Sequence, residues 1–147
     1  MIYIAASRNG YRLKEEMLEY LKLRGYKVED WGPDNDTLVE YPDLARLVAE
    51  KVAGNHYSRG ILFSGKGTGM CIAANKVKNV SAAVVFTPSL AEKTRLEDNS
   101  NVLCLPSLYI SSDVAKEIIA TWLSTSFSGS DYNVRCIKKI RKMENDA

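Results

Sequence analysis

Apolar residues along this chain follow two alternating rhythms, short β-rich runs and longer stretches of helical spacing. The runs IYIAA (Ile2–Ala6), YKVEDW (Tyr26–Trp31), GILFS (Gly60–Ser64), AAVVF (Ala82–Phe86) and NVLCL (Asn101–Leu105) read as strands. Between the first two, Leu13, Met17, Leu18 and Leu21 recur at helical spacing, and the stretch ends at Gly25, a natural C-terminal cap. The pattern repeats over Tyr41–Ala53 with Leu44, Leu47, Val48 and Val52, entered through Pro42 in the first turn. Thr87 before Pro88 opens another helix, Ser111 or Ser112 with Asp113 caps VAKEIIATWL, and 131–143 reads as a last helix.

Strands alternating with amphipathic stretches predict an α/β fold: a three-layer α/β/α sandwich around a five-stranded parallel Rossmann-like sheet, with an additional C-terminal helix. WGPDND (Trp31–Asp36) and a turn near Gly129 are the only linker-like stretches, so residues 1–147 are expected to form a single domain. Ligands of such sheets bind beyond the carboxyl ends of the strands, which directs the search for chemistry to the residues after each one.

Composition narrows the classes without choosing among them. The 147 residues are 46% hydrophobic and 26% charged, as in ordinary globular proteins. A net charge of +2 does not argue for nucleic acid; Arg135, Lys138, Lys139, Arg141 and Lys142 cluster as a solvated helix face would. Cys71, Cys104 and Cys136 form no CxxC pair and read as reduced thiols, with no metal site suggested. The apolar start MIYIAAS lacks a signal-peptide pattern and no apolar run reaches membrane-spanning length, so a cytoplasmic protein is expected.

The most informative stretch is SGKGTGMCIAANK (Ser64–Lys76), where a strand runs through Gly65, Gly67 and Gly69 into a helix. Backbone N–H groups there favour a phosphate, a carboxylate or an enolate oxygen. Two familiar phosphate loops fail on the residues. Gly67 stands where a P-loop needs Ser or Thr, and the third glycine comes one residue early for the dinucleotide fingerprint. His56, the sole histidine, reads as a surface loop residue, and Cys71 as a small residue inside the helix.

GYRLK after strand one, the EYPD segment, the GILFSGKGTGMCIAANK block, EDNSNVLCL and the basic last helix occur in one order and spacing over nearly the whole chain. In these the sequence resembles the ribose 5-phosphate isomerase type B and galactose 6-phosphate isomerase family. The resemblance implies an aldose–ketose isomerase acting on a sugar phosphate through an enediolate, without metal or organic cofactor. It also implies a homodimer or tetramer whose active sites lie at the subunit interface, with no nucleic acid or membrane partner.

The scaffold matches the family more closely than the chemistry does. Ser7 and Arg8 occupy the places of an Asp-His pair, Ser64 that of a catalytic cysteine, and Met70 that of an alternative glutamate. Glu97 and Asp98 replace a ring-opening histidine and the asparagine after it, while Asp131 replaces one phosphate-gripping arginine and Arg135 retains the other. The candidate catalytic residues are therefore Ser64, Lys66 and Glu97. The candidate substrate-binding residues are Ser7, Arg8, Tyr41, Gly65, Gly67, Thr68, Gly69, Asp98 and Arg135. Lys66 could activate Ser64 or stabilise an enediolate; Glu97 could open the sugar ring or act as principal base. Two alternatives stay open: a homologue that binds without turnover, and one subunit of a hetero-oligomeric isomerase.

Overall fold

The computed structural model describes residues 1–146. Its elements are β1 (Ile2–Ala6), α1 (Tyr11–Leu23), β2 (Val28–Asp30), α2 (Tyr41–Ala53), β3 (Arg59–Ser64), α3 (Thr68–Ala74), β4 (Ala82–Val84), α4 (Pro88–Asp98), β5 (Val102–Pro106), α5 (Ser112–Ser124) and α6 (Asp131–Asp146). All strand pairs are parallel, and the sheet order is β2-β1-β3-β5-β4. The expected three layers and five strands are present.

Alternation along the central strands divides the core between the two faces. Ile4, Ala6, Ile61, Phe63, Leu103 and Leu105 pack with Met17, Leu21, Ile118 and Trp122 from α1 and α5. Ala5, Leu62, Val102 and Cys104 face α2 and α3 through Val48, Ala49, Met70 and Ala74. The three inner strands are buried on both sides, which is why they read as continuous apolar runs.

Local signals set most boundaries. Thr87 Oγ1 accepts from Leu90 N at 3.1 Å and Ser111 Oγ from Val114 N at 3.2 Å, so both predicted N-caps do cap. Gly25 follows α1 at φ 85°, as a helix-ending residue does.

The two edge strands are shorter than predicted. β2 spans Val28–Asp30 rather than Tyr26–Trp31, although Ile2 N donates to Lys27 O and Ala6 N to Gly32 O just outside it. β4 stops at Val84 rather than Phe86, which is exposed. An edge strand has a neighbour on one side only, so its pairing ends wherever that neighbour turns away.

Lys14 is the departure from the helical pattern. Its side chain is fully buried and bonds Asp30 at 2.8 Å and the Pro33 carbonyl at 2.9 Å, tying α1 to the chain leaving β2. A carboxylate partner offsets the cost of burying an ammonium.

Candidate active site

The chain crosses from β1 to the edge strand β2 and returns on the other side of β1 to form β3. The carboxyl ends of β1 and β3 therefore border the crevice at which open α/β sheets bind ligands. Ser7 N donates to Phe63 O at 2.9 Å, holding the two strand ends together. A 3-10 turn, Arg8–Gly10, follows on one side and the glycine loop on the other.

Between them lies a cleft of about 430 Å³ lined by Ser7, Arg8, Tyr41, Ser64, Gly65, Lys66, Gly67, Gly69 and Met70. Asn9, Leu38, Val39 and Leu108 complete its wall. The loop is built for close approach. Gly67 sits at φ 78° as the N-cap of α3, where an L side chain would be strained. A Cβ on Gly69 would stand 2.6 Å from the Tyr41 hydroxyl, so only glycine lets that ring lie against the start of α3. Helix geometry leaves the first N–H groups of α3 without intrahelical partners at the cleft wall.

Ser64 is nearly buried, and its Oγ accepts from Gly67 N at 3.0 Å. Donation from an N–H lowers the basicity of that oxygen, so the geometry suits a loop organiser that can still donate its own proton. Lys66 is exposed on the same wall and forms no ion pair among the described residues.

Among the described residues no Asp, Glu or His lines this cleft, whose ionisable side chains are Arg8, Tyr41 and Lys66. Glu97 and Asp98 are exposed at the end of α4, Glu97 3.9 Å from Lys93 and Asp98 accepting from Thr94 at 3.2 Å. Arg135 is exposed on α6, its guanidinium 6.0 Å from the Tyr132 ring. A single copy of the chain thus brings together Ser7, Arg8, Tyr41, Ser64, Lys66 and the loop glycines, with Thr68 exposed beside them. It leaves Glu97, Asp98 and Arg135 outside.

Sequence reasoning did not single out Asn9, Leu38, Val39 or Leu108. No local spacing marks them; the structure leaves Leu38 80% and Leu108 67% exposed, apolar residues in segments between elements.

A family model described as Ribose/Galactose Isomerase matches residues 2–140, and the chain belongs to that family. It is similar to a Mycoplasma genitalium protein named probable ribose-5-phosphate isomerase B, 42% identical over 142 residues, covering 95% of this chain and 93% of the relative. The structure of Clostridium thermocellum ribose-5-phosphate isomerase B superimposes with a TM-score of 0.95 at 37% identity, covering 99% of this chain and 97% of the other. The Mycoplasma genitalium ribose-5-phosphate isomerase B crystallised with ribulose-5-phosphate gives 0.94 at 40% identity, again covering 99% and 97%. Among the described residues no helix is long and apolar enough to cross a membrane.

Proposed function

We propose that the chain is an aldose–ketose isomerase of sugar phosphates, moving a proton between adjacent carbons through an enediolate. The observation that carries this reading is the cleft at the β1/β3 crevice, with a glycine loop, a lysine and an arginine on its walls. Membership of the isomerase family supports it, as does the ribulose-5-phosphate held by the Mycoplasma genitalium relative.

In this reading the N–H groups at the start of α3 and the Lys66 ammonium hold the developing enediolate oxygen. Ser64 donates to the same region while keeping the loop closed through Gly67. Arg8 offers a planar fork for the phosphate, and Tyr41 covers the sugar.

Among the described residues the cleft has no carboxylate or imidazole of its own, and a protonated lysine has no lone pair with which to take a proton. The proton-transfer group therefore comes from outside: Glu97 of a second copy enters the cleft, with Asp98 and Arg135 beside it. The working enzyme is then at least a dimer, its substrate sealed between two chains.

Proton NMR in deuterated water tests this with four-, five- and six-carbon aldose and ketose phosphates. The expected result is deuterium entering the carbon beside the carbonyl for at least one sugar. Saturable binding with no exchange for any of them would sink the isomerase reading in favour of a sensor.

A further inference from the structure

The amino-terminal rim of the sheet, opposite the cleft, carries chemistry that the isomerase reading leaves unused. A polar cavity of about 600 Å³ lies there between the end of α2, the start of β3, the end of α4 and the segment after α5. Arg59, Arg95, Arg141 and His56 line it, and among the described residues no Asp or Glu does.

Arg95 is only 4% exposed, and it donates to Thr125 O, Asn99 Oδ1 and Ser100 O. These oxygens satisfy donors but leave a full positive charge uncompensated. Among the described residues neither Arg95 nor Arg59 forms an ion pair. Nη2 of Arg95 has no hydrogen-bond partner among them either. It is not sealed from solvent, since among the described residues Trp31 Nε1 is the one buried side-chain nitrogen or oxygen left unbonded. Burial lowers the Arg95 pKa to about 10, and the nearby Arg59 charge adds to that shift.

Arg59 is itself half-buried, with Nη1 held by His56 O and Ser58 O. Arg141 is neutralised by Glu144 at 2.8 Å, so it adds direction more than charge. Two partly dehydrated guanidiniums that repel one another across a polar cavity call for an oxyanion, and their planar forks match phosphate. The cavity is large enough for more than the phosphate alone, and Phe127 offers an apolar wall to the remainder.

We propose that this cavity is a second binding site, for a phosphorylated small molecule whose phosphate sits between Arg59 and Arg95. Titration calorimetry with pyrophosphate in chloride buffer tests it on the full chain, comparing wild type, Arg59→Gln, Arg59→Glu and Arg8→Gln. Arg95 is left in place because it holds two backbone carbonyls, and the folding of each variant is checked by circular dichroism. The readout is heat of binding, so it is independent of isomerase activity.

The expected result is a pyrophosphate site weakened at least about tenfold in Arg59→Gln, abolished in Arg59→Glu and retained in Arg8→Gln. Equal affinity in wild type and both Arg59 variants overturns the proposal. A wild-type chain without binding heat does the same, and so does a loss confined to Arg8→Gln, which would place the anion in the isomerase cleft.

Discussion

At the carboxyl ends of β1 and β3 the chain supplies small residues and open backbone; at the amino ends of β3 and β5 it supplies long charged side chains tied to carbonyls. The upper rim works by excluding Cβ atoms: Gly69 yields its space to Tyr41, and Gly67 adopts a left-handed turn. The lower rim works by filling space, with Arg95 joined to Thr125 and Ser100, and Trp122 Nε1 donating to Ser100 Oγ at 2.9 Å. Rate should therefore depend on the upper rim and on the Glu97 that a second copy brings to it, and stability on the carbonyl-tied residues of the lower rim, and variants can separate the two.

The sharpest separation comes from Glu97→Gln. If this exposed carboxylate moves the proton in a second copy's cleft, kcat falls about 100- to 10,000-fold while the melting temperature stays unchanged. A kcat near wild type in a steady-state isomerase assay would break the proposed division of labour between copies. Gly69→Ala comes next, because its methyl displaces the Tyr41 ring; kcat/KM should fall roughly 10- to 100-fold with little loss of stability.

At the lower rim, Ser100→Ala leaves the Trp122 indole N–H unpaired in the core and should cost about 1–3 kcal/mol in urea unfolding. Its kcat should not change. Thr87→Ala, on the upper side of the sheet but outside the cleft, removes one N-cap bond from α4 and should cost about 1 kcal/mol, again without altering kcat. A fall in kcat for Ser100→Ala beyond the unfolded fraction would show that the two rims are coupled.

Sequence patterns and the resemblance of the motif blocks located most of the upper rim. The glycine loop was legible because strand, glycines and helix are consecutive in the chain, so spacing alone implies a turn with open backbone. Asn9, Leu38 and Leu108 were not legible, since each reaches the cleft from a different connection. Ser107 Oγ donating to Asn9 O, across 98 positions, is the kind of contact that joins them.

Lys14 and Arg95 were missed for another reason. Hydrophobic periodicity assigns charged residues to solvent, yet Lys14 is buried by its partner Asp30, and Arg95 by carbonyls that lie beyond α4. Neither partner sits at a spacing that a local rule recognises.

The sequence by itself determined where helices begin and strands run, because caps, prolines, glycines and apolar period act over a few residues. It also determined the parallel α/β class and, through the resemblance of its motif blocks, the isomerase family. Only the tertiary structure decided that β1 and β3 are neighbours, that their ends hold a cleft which no carboxylate among the described residues lines, and that arginines converge at the opposite rim. Strand order and burial depend on contacts between distant segments, whose energies are set by packing and desolvation rather than by local propensity.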